Sequence, residues 1–323
     1  MDFRHSEVID KATYETHGLA GDIELRVHKQ SILEIRGTLR VQDDWAKHVS
    51  PLPVDGYKGG LSHPYSFTSA TIPECLPERL EILSYANEYA FLYDDEMENL
   101  DDEEFRRETS GILETFDNAL DRKVSTRTRP EKRLQAHILA ELMALDPTRA
   151  TIMMRSWATF VQSASRTRIQ PWNTLEEYVP ARIIDAGELF WFGMLTFGMA
   201  LTIPEEEYDL CTELAKPAYA VLGLTNDLYS WDKEQRDAER AGQPYVFNAV
   251  WVIMKERSVS EEEAISLCRA EIQNWMDVYR RTVDGTIANF SLSKDLRAYI
   301  EALLYSCVGN FVWSITCPRY RDL

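Results

Sequence analysis

Cysteine is scarce and unpatterned. Five residues (Cys75, Cys211, Cys268, Cys307 and Cys317) form no C-x-x-C pair. That argues against a disulfide framework or a zinc site and fits a reducing compartment. No H-E-x-x-H occurs among the six histidines. Long apolar runs are missing too. The most apolar stretch, Leu189 to Ile203, is about 15 residues, short of the roughly 20 that span a bilayer, so it reads as a buried core helix. The opening MDFRHSEVIDK is polar and has no signal-peptide core, so a cytoplasmic location is expected. Positive charge is in deficit, with a formal net charge of -18. This excludes nucleic-acid binding by general electrostatics, because phosphate backbones need Lys/Arg fields. An anionic small molecule would need local basic residues or metal ions. Internal repeats, low-complexity linkers and strict apolar alternation over six residues are also lacking, so almost no sheet is expected.

What is present is helical. Gly and Pro gather between residues 50 and 77, which reads as loop, and Pro77 suits the first turn of a following helix. Leu80, Leu83, Ala86, Tyr89, Ala90 and Tyr93 then recur at three-and-four spacing. So do Leu134, Ile138, Leu142 and Leu145, and Asp146 or Thr148 could cap the segment through Trp157, Phe160 and Val161. Further helices are expected near 181–202, 205–235, 245–257, 261–284 and 293–315. The sum is about ten helices in one all-α bundle.

Two acidic motifs stand out. Asp94-Asp95-Glu96-Met97-Glu98 closes the first helical run. Asp94 and Glu98 are four apart and share a helix face. Carboxylates at a helix C-terminus oppose the dipole, and a divalent cation would remove that conflict. The bland alternative is a solvated acidic end, extended by Asp101-Asp102-Glu103-Glu104. The second motif, Asn226-Asp227-Leu228-Tyr229-Ser230-Trp231-Asp232-Lys233-Glu234, spaces Asn226, Ser230 and Glu234 by four and four. On a helix these span roughly 12 Å and drift by about 40° per step, so all three oxygens can face one ion. Amide, hydroxyl and carboxylate oxygens form a hard donor set suited to Mg²⁺. Lys233 adds a cation where an anionic ligand would sit. The alternative is an ordinary polar helix face with a capping Asn.

With these motifs the chain resembles the class I terpene synthases: the first looks like their aspartate-rich motif, the second like their NSE motif. Two more features match in order. Arg182, in YVPARIIDAG and 44 residues before Asn226, looks like the diphosphate-sensing Arg, with Asp185 as linker and Ala186 as the effector residue on a helix break. Many bacterial members carry Gly at the effector position; here Gly187 follows it. Arg319-Tyr320 looks like the family's terminal Arg-Tyr pair, which donates to diphosphate. The overall style is most similar to the N-terminal cyclase domains of fungal bifunctional terpene synthases, which carry a prenyltransferase domain after the cyclase. The resemblance implies a helical bundle around a central apolar cavity and one cyclase domain over residues 1–323. That domain is either excised from a longer protein that carries a prenyltransferase or stands alone.

The resemblance also implies roles. Asp94, with Asp95 or Glu98 assisting, and Asn226, Ser230 and Glu234 would hold three Mg²⁺. Arg182, Lys233, Arg319 and Tyr320 would bind the diphosphate of a prenyl diphosphate, C20 ahead of C25. A carbocation then needs a dry pocket with aromatic faces. Phe67, Phe91, Trp157, Phe160, Trp191, Phe192 and Trp313 are candidates to line it, half of them being expected to be plain core, and Asn310 could be a polar group within it. The rivals are a chain-elongating prenyltransferase and a non-catalytic helical binding protein.

Overall fold

The computed structural model describes residues 2–97, 129–164 and 171–321. The described residues form eleven α-helices: α1 (Ile32–His48), α2 (Phe67–Thr71), α3 (Pro77–Met97), α4 (Pro130–Leu145), α5 (Pro147–Ala164), α6 (Leu175–Asp185), α7 (Glu188–Gly198), α8 (Tyr208–Ala241), α9 (Ala249–Arg257), α10 (Glu261–Ala288) and α11 (Lys294–Thr316). One small antiparallel ribbon pairs β1 (Ser6–Val8) with β2 (Arg26–His28), Ser6 opposite His28. None of the described helices is long and apolar enough to cross a membrane. All five cysteines are buried thiols.

Local chemistry sets the helix ends. Pro77 opens α3 as its spacing predicts. Asp146 ends α4 and accepts the Arg149 amide of α5 at 3.2 Å, so it caps the next helix. Thr174, Asn248, Ser260 and Ser293 cap α6, α9, α10 and α11 with their side-chain oxygens. Gly242, at φ 65°, stops the 34-residue α8 in the left-handed conformation that glycine tolerates.

Two expectations change. The stretch 181–202 is not one helix. It breaks at Ala186–Gly187 into α6 and α7, where the resemblance implies a helix break, because Gly187 adopts φ 87°. Helices α1 and α2 were not foreseen. The buried face of α1 is Glu34, Gly37, Thr38, Val41 and Trp45, too polar and small to give an apolar period. Its Glu34 carboxylate accepts the Thr68 and Ser69 amides at 2.6 and 2.8 Å, which fixes the start of α2. Across α2, Gly309 of α11 lets the backbones nearly touch; a Cβ there would lie 2.1 Å from the Ala70 carbonyl oxygen. Helix α2 is thereby locked between α1 and α11, and it presents Phe67 inward.

Candidate active site

The last turn of α3 carries Asp94 and Asp95, and Glu98 lies outside the described residues. Asp94 is exposed. Asp95 is clamped: Arg319 donates from Nη2 to Oδ1 at 2.5 Å and from Nη1 to Oδ2 at 2.9 Å. Tyr57 donates its hydroxyl to Oδ2 at 2.6 Å and accepts from Arg319 Nη1 at 3.1 Å. Burial pushes the Tyr57 phenol far up, so it remains a donor. Burial works against the Arg319 charge, but Tyr57 and Asp95 outweigh it and the guanidinium stays protonated.

The second motif lies in the middle of α8. Ser230 donates to the Asn226 carbonyl at 2.7 Å. The Asn226 side chain is held at both ends, Oδ1 accepting from Arg182 Nη2 and Nδ2 donating to the Tyr320 hydroxyl. Glu234 Oε2 accepts from Asn248 Nδ2 at 3.0 Å. Lys233 pairs with Asp237 at 3.1 Å, one turn along α8.

Behind this face sits a buried ionic node. Arg182 donates Nε to Asp227 Oδ1 at 2.7 Å and Nη1 to Asp185 Oδ2 at 2.5 Å. Asp227 also accepts the Tyr178 hydroxyl at 2.7 Å and the Ala249 amide at 3.0 Å, both on Oδ2. Burial pushes the Asp227 carboxyl up to about 6, with Arg182 pulling the other way. Gly223 allows α8 to approach, since a Cβ there would meet Arg182 Cγ at 3.2 Å and Ala186 Cβ at 3.5 Å. Ala186 itself is exposed at the break between α6 and α7.

Arg319 and Tyr320 are adjacent, yet one reaches Asp95 on α3 and the other Asn226 on α8. That pair brings the two acidic motifs to one place. Next to it the rings cluster. Phe67 packs edge-on against Phe91, Trp191 and Trp313 at 5.8, 5.4 and 4.7 Å between centroids. Phe91 stacks with Trp313 at 6.0 Å, and Trp313 meets Tyr320 at 5.5 Å. Arg319 lies 4.9 Å over the Phe91 ring. Trp157 and Phe160 pack on Phe190, which lies beside Gly187, at 5.0 and 6.3 Å. Phe192, about 100° around the helix from Trp191, packs on Tyr208 and Tyr299. Asn310 ties α11 to α8 by donating to the Leu222 carbonyl at 3.4 Å.

The donor chemistry fits a hard divalent cation. Among the described residues no three His, Cys, Asp or Glu side chains converge. The candidate set instead combines the Asn226 amide, the Ser230 hydroxyl and the Glu234 carboxylate, spaced by four and four along α8, with Asp94 at the end of α3, all oxygen donors. Sequence reasoning missed Tyr57, Tyr178 and Asn248, and it gave Asp227 no role. Each acts through partners 14 to 262 residues away, a separation that no local spacing reveals.

Comparison with known proteins identifies the family. The family described as terpene synthase family 2, C-terminal metal binding, matches residues 85–277, more than half of the chain. Fusicoccadiene synthase of Phomopsis amygdali is 42% identical over 99% of this chain and 46% of its own length. Ophiobolin F synthase of Aspergillus calidoustus is 40% identical over 99% of this chain and 43% of its own. The chain thus spans less than half the length of these relatives. Among solved structures, aristolochene synthase from Penicillium roqueforti superposes with a TM-score of 0.76 at 19% identity, covering 92% of this chain and 98% of that one, which shows a shared fold. The helical bundle, the converging motifs and the matched family agree: the chain belongs to terpene synthase family 2, the family with a C-terminal metal-binding region.

Proposed function

We propose that the chain is a class I terpene cyclase. It ionises a long prenyl diphosphate, C20 geranylgeranyl in preference to C25 geranylfarnesyl, and closes the carbocation to a polycyclic terpene. The allylic C–O bond breaks, its electron pair leaves with diphosphate, and a proton is lost at the end. The observation that carries this reading is the Arg319–Tyr320 pair, which touches both acidic motifs from two successive residues.

Asp94, Asn226, Ser230 and Glu234 would hold magnesium, three ions in all, with Asp95 and Glu98 assisting. Bound there, magnesium supplies Lewis-acid stabilisation of the departing diphosphate. Arg182, Arg319 and Tyr320 supply preorganised donors to the same charge, and Lys233 joins them by leaving Asp237. Asp185 and Asp227 fix the Arg182 guanidinium from behind. Phe67, Phe91, Trp191 and Trp313 exclude water and offer π-faces to the cation, each worth about 0.5–2 kcal/mol. A cytoplasmic location belongs to the same reading, as does a prenyltransferase domain elsewhere in the full-length protein.

Incubation with geranylgeranyl diphosphate and Mg²⁺ tests it. Hydrocarbon plus free diphosphate is expected; a requirement for isopentenyl diphosphate would mean chain elongation instead. Replacing Asn226 or Asp94 with Ala should abolish diphosphate release while leaving the circular dichroism spectrum unchanged. Wild-type turnover by either variant would refute the metal assignment.

A further inference from the structure

The loop between α1 and α2 reaches both parts of the candidate site, and one buried carboxylate holds it. Residues 49–66 form no helix or strand. Within them, Tyr57 engages Asp95 and Arg319. Three residues on, the Gly60 carbonyl accepts from Trp313 Nε1 at 2.9 Å and from the Phe67 amide at 3.0 Å. The Gly60 amide donates to Glu88 Oε2 at 2.7 Å. Glu88 stands on α3 nearly two turns before Asp94, and its Oε1 accepts from Gln42 of α1 at 2.6 Å. Gly59 packs so closely on this carboxylate that a Cβ would fall 2.1 Å from Oε1.

Glu88 belongs to neither acidic motif and makes no hydrogen bond to Asp94, Asp95 or Arg319 among the described residues. It is 1% exposed, and burial pushes its carboxyl up to about 7, against the pull of the Gly60 amide and Gln42. An apolar side chain would fill that space without the desolvation cost. What the carboxylate adds is a fixed point for the Gly60 amide, and the carbonyl of the same residue aims the Trp313 indole and the start of α2.

We propose that Glu88 is a positioning residue for product specificity: by anchoring Gly60 it sets the pose of Trp313 and Phe67 against the carbocation. This rests on the reading of the ring cluster as the cyclisation pocket. Branching between ring closure and early proton loss depends on which intermediate the rings stabilise. Losing one ring contact of ordinary strength alters such a ratio roughly two- to thirtyfold.

The test compares wild type, Glu88→Gln, Glu88→Ala, Gly59→Ala and the Glu88→Ala/Gly59→Ala double variant on geranylgeranyl diphosphate with Mg²⁺. Diphosphate release and the ratio of terpene products are measured separately. Glu88→Gln keeps the volume and an acceptor oxygen, so the product ratio should stay wild-type. Glu88→Ala should shift the ratio at least twofold, with KM changed less than the ratio. Gly59→Ala drives a methyl into the carboxylate and should shift the ratio in the same direction. Adding it to Glu88→Ala should change nothing more, because its clash partner is gone. Wild-type ratios from Gly59→Ala would overturn the proposal even if Glu88→Ala failed to fold, and additive shifts in the double variant would overturn it too. Absence of diphosphate release from the wild type would instead strike the cyclase reading itself.

Discussion

Asp227→Asn is a nearly isosteric change at the centre of the ionic node, and its cost can be worked from the contacts. Three donors converge on the two carboxylate oxygens: Arg182 Nε on Oδ1, and the Tyr178 hydroxyl and Ala249 amide on Oδ2. An amide offers a single acceptor oxygen, and its NH₂ must face at least one of these donors. If the NH₂ takes the Oδ2 position, the Ala249 amide at the start of α9 is left buried and unpaired, at about 1–3 kcal/mol. The buried Arg182 also loses a charge partner. Breaking such a pair costs about 3–5 kcal/mol, less here because Asp185 still contacts Nη1. Together the loss should be roughly 3–5 kcal/mol, a large share of the 5–15 kcal/mol that holds a folded domain together. The melting temperature should therefore fall by about 4–7 °C, read by circular dichroism. A variant melting within about 2 °C of wild type would show that Asp227 does not hold this node.

Three further outcomes are expected. Asn248→Ala removes the donor to Glu234 and the cap of α9; the Mg²⁺ concentration for half-maximal activity should rise about tenfold or more, and stability should fall by about 1 kcal/mol. An unchanged Mg²⁺ requirement would refute the link to Glu234. Gly187→Ala forces a side chain into φ 87° and should cost about 1–2 kcal/mol, checked by urea unfolding; no loss would mean that the break between α6 and α7 tolerates other geometries. Glu88, whose carboxyl is pushed up to about 7 by burial, binds its proton more tightly folded than unfolded. Its contribution is therefore fully present below about pH 4.5 and is lost as pH rises to 7, by up to about 3 kcal/mol. Glu88→Gln should flatten that slope in melts between pH 5 and 8, and an equal slope in both proteins would count against the buried carboxyl.

How much was legible in the sequence depended on whether a feature was local. The helix before Asp94 and the 226–234 spacing each lie within one helix, and α3 and α8 bear them out as elements, while Arg182 falls on α6 and Arg319-Tyr320 follow the end of α11. Helix α1 was invisible because Glu34, Gly37 and Thr38 occupy its buried face, and their partners on α2 and α3 come from another part of the chain. Tyr57 and Gly60 sat in a stretch read as loop, which is correct for the backbone, but their side-chain and peptide contacts reach Asp95, Arg319 and Trp313. The ring list divided by helix angle: Trp191 faces Phe67, while Phe192, one residue on, faces Tyr299. Lys233 points to Asp237, a neighbour that a motif reading overlooks.

The measurement closest to the central claim is a calorimetric titration of inorganic diphosphate into the protein with and without Mg²⁺, repeated for Asn226→Ala and Arg319→Ala. Oxygen donors and guanidinium groups gathered from α3, α8 and the chain after α11 should bind diphosphate only when Mg²⁺ is present, and each substitution should weaken binding at least tenfold. Equal affinity without Mg²⁺, or wild-type binding by both variants, would contradict a shared metal-bridged mouth for the leaving group.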